Sequence, residues 1–247
     1  MSIDSLEKYR QGINDLIENE KLRTCGEERS EIYSANHKNR FVITANECKK
    51  YVPNRKSNVL DIGRSNLTSL LSDYYYDVFS LGFDLKHDSG GHRENITIED
   101  VPHIVFDLNH SKDIDKWPKY PDKFDLIVFC ETLEHISSAP EFILLMFKYL
   151  LKPNGIIILS TPNASSFHKR ILLLLGKNPA ERIRFYLLNP GDFRQYISKE
   201  IIEIVKNCGL KIVECNHINF NRSKYMLIRF IQNIPQLKDS IIAVISK

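Results

Sequence analysis

The stretch Asn58-Val59-Leu60-Asp61-Ile62-Gly63-Arg64-Ser65-Asn66 constrains the fold more than any other part of the chain. Val59, Leu60 and Ile62 read as a short buried strand, Gly63 as a tight turn, and Asn66 as the start of a helix. A strand, a glycine turn and a helix N-terminus in that order form a nucleotide-binding corner. Backbone N–H groups of the turn point outward unpaired, and the missing Cβ lets a ligand approach the main chain. One glycine is a weak signal alone, because a full dinucleotide fingerprint carries three. Strands and acids at the right distances downstream strengthen it.

From Val59 onward the pattern alternates strand and helix, which predicts a parallel sheet with helices on both faces. Strands are expected over residues 59–62, 78–83, 104–106, 126–130, 156–160, 210–213 and 241–245. The fourth is nearly all apolar, as a strand covered on both faces must be. Helices are expected over 66–76, 139–151 and 198–208. The second of these stops at Lys152-Pro153-Asn154-Gly155, and the third starts with Ser198 as cap and Glu200 in its first turn. Upstream, Leu6, Tyr9, Ile13, Leu16 and Ile17 fall at helical spacing within 4–23, and a second helix over 27–50 ends before Pro53. Residues 1–55 therefore form a helical arm, either packed on the main domain or acting as a lid over its ligand site. Residues 56–247 form the main domain, and 164–197 is an insertion longer than a simple crossover needs.

Acidic residues stand at or near the ends of four successive strands. Asp84 lies 21 residues after Gly63, at the end of the second strand. A carboxylate at that offset accepts hydrogen bonds from a ribose diol. Asp107 ends the third strand and is suited to an exocyclic amine of a base; Asp61 and Glu131 complete the set. Ligands of open α/β sheets bind at the carboxyl ends of strands, where these four acids converge.

Composition narrows the classes. At 43% hydrophobic and 26% charged, the 247 residues read as an ordinary globular protein. A net charge of +3 is too mild for a nucleic-acid binder. Five cysteines (Cys25, Cys48, Cys130, Cys208, Cys215) with no C-x-x-C disfavour a disulfide scaffold and a zinc site, so no metal is expected and a reducing cytoplasm fits. The N-terminus lacks a signal-peptide core, and no apolar run reaches the ~20 residues of a membrane span.

The chain resembles the class I S-adenosylmethionine-dependent methyltransferases of the broad small-molecule type. Val59-Leu60-Asp61-Ile62-Gly63 matches the family's first motif, Gly82-Phe83-Asp84 the end of its second strand, and Val105-Phe106-Asp107 its third. Phe124-Asp125-Leu126-Ile127-Val128 with Leu133-Glu134-His135-Ile136 matches the fourth. Leu150-Leu151-Lys152-Pro153-Asn154-Gly155 and Ile158-Leu159-Ser160-Thr161-Pro162-Asn163 match the passage into the fifth. The resemblance covers residues 59–213. It implies a Rossmann-like, mostly parallel sheet whose last strand is antiparallel, with S-adenosyl-L-methionine as cofactor. By the same resemblance Gly63, Arg64 and Ser65 cradle the methionine end and Asp61 orients it. Asp84, with Leu85 in the same binding set, holds the ribose; Asp107 and the Leu108 backbone read the adenine; Glu131 borders the methionine moiety. The acceptor implied is a small hydroxylated molecule, possibilities being a sugar, a glycan or a lipid-linked intermediate. The family's Gly-x-Gly-x-Gly series is here Gly63-Arg64-Ser65-Asn66-Leu67, and Asp192 stands where relatives often carry a histidine.

An alcohol acceptor calls for a general base. His135, just past the fourth strand, is the candidate, its other reading being a structural cap on the following helix; His168 and Asp192 are the alternatives. The 164–197 segment is the natural acceptor lid. It holds Ile171-Leu172-Leu173-Leu174-Leu175 among Lys169, Arg170, Lys177, Arg182 and Arg184, so it either packs on the core or touches a membrane surface peripherally. Two other functions compete with an active enzyme: a non-catalytic cofactor-binding partner, given the altered glycine series, and a nicotinamide-dependent oxidoreductase.

Overall fold

A computed structural model describes residues 11, 27–84, 101–120, 122–184, 191–220, 231 and 233–247. Apart from residue 11, the helix expected over 4–23 lies outside the described residues, as does Leu85 of the expected cofactor set. Helix α1 (Glu27–Tyr51) leads into strand β1 (Asn58–Ile62), helix α2 (Asn66–Ser72), β2 (Asp77–Gly82), β3 (His103–Val105) and β4 (Phe124–Cys130). Helix α3 (Pro140–Leu150), β5 (Leu151–Pro162), α4 (Phe167–Leu174), α5 (Ser198–Asn207), β6 (Lys211–Ile218) and β7 (Ser240–Ser246) complete the order.

The seven strands form one sheet in the order β3-β2-β1-β4-β5-β7-β6. Strands β1 to β5 pair in parallel, whereas β7 is antiparallel to both β5 and β6. The expected fold, a Rossmann-like sheet with its last strand inserted antiparallel, is the one observed. The chain order reverses beside β1, between β2 and β4, so their carboxyl ends open a crevice there.

Alternation along β1 divides the core in two. Leu60 and Ile62 join Ile127, Phe129, Ile157 and Leu159 under α3 and α5, through Ile143, Phe147, Leu150, Ile201 and Val205. Val59 joins Leu126, Val128, Ile158, Ile242 and Val244 under α1 and α2, through Phe41, Ala45, Cys48, Leu67 and Leu71. Each of these large side chains contributes about 1.5–3 kcal/mol by leaving water. Helix α1 is thus part of the core, laid across one face of the sheet.

Three boundaries differ from expectation. Helix α2 stops at Ser72, four residues short of 76, because Tyr75 turns inward and its hydroxyl donates to the Val52 carbonyl at 2.7 Å. The Lys152-Pro153-Asn154-Gly155 turn lies inside β5 as an irregularity, with Leu151 already paired to Phe124 and Asn154 at φ +64°. Strand β6 runs on to Ile218 because β7 offers it a partner along that length.

Candidate active site

The corner after β1 is built by a chain of hydrogen bonds. Gly63 takes φ +82°, where a Cβ is unfavourable, and its N–H donates to the Leu81 carbonyl at 2.8 Å. Ser65 caps α2, its hydroxyl accepting from the Leu67 N–H, while its own N–H donates to Thr68 Oγ1 at 2.9 Å. Thr68 Oγ1 donates in turn to Asp61 Oδ2 at 2.6 Å. Asp61 is therefore buried behind the corner and braces the first turn of α2. Burial pushes its carboxyl up to about 7, against the opposing pull of the Thr68 hydroxyl.

The two bulky residues of the altered glycine series are both accommodated. Arg64 Nη1 donates to the Val101 carbonyl at 2.8 Å and to Ser80 Oγ at 3.3 Å. Leu67 is packed in the core between α1 and the sheet.

The ends of β2 and β3 carry the next two acids. His103 bridges Ser80 Oγ (2.9 Å) and the Phe83 carbonyl (2.8 Å), which fixes the end of β2 where half-buried Asp84 stands. Asp107 comes just after β3; its Oδ1 accepts from the Asn109 N–H and Nδ2, both at 2.9 Å, with Leu108 buried beside it. Asn109 Oδ1 accepts from Ser137, tying this turn to the segment after β4.

Glu131, the first residue past β4, sits at φ +49°, a conformation costing a non-glycine residue about 1–3 kcal/mol and found preferentially at functional sites. The surroundings hold it there. Its N–H donates to the Ser160 carbonyl (2.9 Å), its Oε1 accepts from Ser160 Oγ (2.8 Å), and Arg40 of α1 lies 3.6 Å from Oε2. Sequence reasoning did not single out Arg40. Nothing in its local sequence marks it, since the ion pair exists only once α1 is laid across the sheet.

Beyond Glu131 the acids continue. Glu134, 2% exposed, accepts from Thr161 Oγ1 at 3.1 Å, and its carbonyl accepts from the Phe193 N–H. Burial first, then the neighbouring Glu131 and Asp192 charges, hold its carboxyl well above the carboxylate range. His135 Nδ1 lies 2.8 Å from the Gly191 carbonyl and 3.6 Å from Asp192 Oδ1. A carbonyl only accepts, so Nδ1 bears the proton, and a neutral ring presents the lone pair of Nε2. Gly191 has no substitute here: at φ +76°, an added Cβ would stand 2.2 Å from the Arg182 carbonyl oxygen.

Lys169, on the inner end of α4, is the second residue missed. Its Nζ is enclosed and has no hydrogen-bond partner among the described residues. Burial lowers its amine, opposed by the charges of Asp192, Glu134, Glu131 and Asp239. The sequence showed a basic run there but not which member turns inward. Asp61, Gly63, Ser65, Asp84, Asp107, Leu108, Glu131 and His135 thus lie along the carboxyl edge of β1 to β4. Arg64 leans along β2, and His168 is exposed.

The donor set suits an adenosine bearing an amino acid: carboxylates at the ends of β2 and β3 for hydroxyls and an amine, and a glycine corner at β1. An arginine–glutamate pair beside β4 can face a zwitterion. Comparison with known proteins agrees. Residues 35–215 match a family model described as a methyltransferase domain. Ubiquinone biosynthesis O-methyltransferase of Rickettsia prowazekii (strain Madrid E) is 31% identical over 103 residues, 41% of this chain and 39% of that protein. The Bartonella tribocorum enzyme of the same name is 28% identical over 118 residues, 44% of this chain and 46% of that protein. The aligned part is thus less than half the length of these curated relatives. Among solved structures, N-methyltransferase NodS from Bradyrhizobium japonicum WM9 in complex with S-adenosyl-L-homocysteine superposes with TM-score 0.52 at 14% identity. That match covers 85% of this chain and 86% of that one. A methyltransferase of Haloferax volcanii in complex with the activator Trm112 gives TM-score 0.59 at 14% identity, over 89% and 94%. These likenesses speak for the fold. The chain belongs to the S-adenosylmethionine-dependent methyltransferase family.

Proposed function

We propose that this methyltransferase moves the methyl group of S-adenosyl-L-methionine to a hydroxyl oxygen of a small acceptor, with His135 as the general base. The single observation that carries this reading is the Nδ1–Gly191 bond of 2.8 Å, which leaves Nε2 to accept a proton. The O-methyltransferase names of the aligned relatives favour oxygen over nitrogen as the accepting atom.

When bound, the cofactor supplies an electrophilic sulfonium methyl group. The chain's own residues bind and orient. Asp84 takes the ribose diol and, by the resemblance, Leu85 stands with it; Asp107 and Leu108 take the adenine. Gly63 and Ser65 line the methionine end, with Asp61 acting from behind through Thr68 and Arg64 bracing the turn. Glu131 and Arg40 are suited to the methionine ammonium and carboxylate. Holding the acceptor in line with the methyl can account for ~7–11 kcal/mol of barrier. Helix α1 borders the cofactor end of the crevice through Arg40, and the described residues 164–184 and 191–197 form the acceptor lid. The acceptor is a hydroxylated small molecule, with sugars, glycans and lipid-linked intermediates the classes to screen.

Accommodation of Arg64 and Leu67 within the protein weighs against a purely non-catalytic role. The test is methyl transfer from labelled S-adenosyl-L-methionine to a hydroxyl-bearing panel, run with the natural chain and with His135→Ala. Cofactor binding should persist in the variant while turnover falls ~10²–10⁴-fold. Full turnover in His135→Ala would remove it as the base.

A further inference from the structure

Helix α4 has an inner end and an outer end. Lys169 turns into the acid-lined interior, whereas no residue of the helix is fully buried and its last turn stands in solvent. Leu173 is 59% exposed, Leu174 83% and Leu175 65%; Leu174 is the most exposed large apolar side chain among the described residues. Fraying does not explain this. The Lys177 N–H donates to the Leu172 carbonyl at 2.8 Å and the Gly176 N–H to the Leu173 carbonyl at 2.9 Å, with Gly176 at φ +70°. These two bonds close the helix in a Schellman turn. Such turns usually tuck an apolar residue against the last helical turn, but here that place is held by Lys177 and the leucines stay outside. A Cβ added at Gly176 would meet nothing within 4 Å, so the tip faces open space.

The charges around the tip select its partner. Of the five basic side chains in residues 165–184, Lys169 is turned inward and Arg184 is paired at 2.7 Å to the one acid, Glu181, which leaves Arg170, Lys177 and Arg182 to set the sign of the tip. Arg170, Lys177 and Arg182 are exposed beside the leucines, and Ile183 is 54% exposed. A second copy of this tip would meet it with like charge. A bilayer bearing anionic headgroups accepts both features, with leucines below the headgroup plane and cations among the phosphates.

We propose that the outer end of α4, residues 171–177 with Arg182 and Ile183, docks on the surface of a membrane containing anionic lipid. Docked there, the lid would bring the acceptor side of the site to the bilayer, so that an acceptor with an apolar tail reaches it without crossing water. That last step rests on the proposed function; the docking itself does not.

The test is co-sedimentation of the full chain with phosphatidylcholine vesicles, with and without phosphatidylglycerol, at low and high salt. Binding should require phosphatidylglycerol and weaken with salt. It should fall about tenfold or more in Leu173→Glu/Leu174→Glu and in Lys177→Glu/Arg182→Glu. All variants change exposed side chains, and their thermal melts should match the natural chain. Absence of vesicle binding, equal binding to both lipids, or binding indifferent to the leucine substitutions would overturn the proposal. So would a concentration-dependent dimer that the leucine substitutions abolish. Calorimetry with S-adenosyl-L-homocysteine on the same samples separates the two readings. Retained nucleoside binding without vesicle binding sinks the docking alone; the reverse sinks the cofactor reading alone.

Discussion

Replacing Asp61 by asparagine should make the protein more stable at neutral pH and leave it unchanged in acid. The carboxyl is 2% exposed, accepts from Thr68 at 2.6 Å, and is pushed up by burial to about 7. In the unfolded chain an aspartate titrates near ~3.9. Between those values the folded protein holds a proton that the unfolded chain has released. The favourable contribution is therefore complete below about pH 4 and is lost as pH rises through about 7. A displacement of about 3 pH units corresponds to about 4 kcal/mol. The asparagine side chain still accepts from Thr68 and never ionises, so Asp61→Asn should lose this pH dependence. Urea unfolding of both proteins at steps from about pH 4 to 8 reads the effect as a difference. Glu134, also raised by burial, is present in both and cancels to the extent that the sites act independently. A stability difference that stays flat across that window would refute the reasoning. An acid kept at such a cost to stability marks a working position, so the variant should also bind the cofactor more weakly.

Lys169→Met removes an enclosed amine that has no hydrogen-bond partner among the described residues. Thermal melting should show equal or higher stability, by up to ~1–3 kcal/mol, while turnover falls; lower stability with unchanged turnover would make the lysine merely structural. Gly191→Ala drives a Cβ to 2.2 Å from the Arg182 carbonyl and so displaces the carbonyl that holds His135. Turnover should drop with cofactor affinity retained, and an unaltered rate would show that the Gly191 contact does not matter. Arg40→Met breaks the 3.6 Å pair with Glu131 and should weaken cofactor binding about tenfold, or ~1.4 kcal/mol, by calorimetry.

The sheet was legible because its signal is local. Buried strands such as Leu126 to Cys130 announce themselves as apolar runs, and Asp84, Asp107 and Glu131 each come within two residues of a strand's end, with Asp61 inside β1. Even the antiparallel β7 was expected, though by resemblance and not by periodicity. Boundaries failed where a distant group overrode local spacing, as at Tyr75, whose hydroxyl bonds Val52. The site was half legible for the same reason. Positions at strand ends could be named, but their partners are brought in by the fold. His135 meets the Gly191 carbonyl across 56 residues, and Arg40 reaches Glu131 only because α1 crosses the sheet. Which way Lys169 faces is decided by how α4 packs, and no property of its neighbours in sequence encodes that.

The most direct measurement is a calorimetric titration of the full chain with S-adenosyl-L-homocysteine, repeated on Asp84→Ala and with a nicotinamide dinucleotide. Saturable one-to-one binding is expected in the natural chain, abolished by Asp84→Ala, with no response to the dinucleotide. Binding that survives Asp84→Ala, or a preference for the dinucleotide, would contradict the placement of adenosine across the carboxyl ends of β1 to β4.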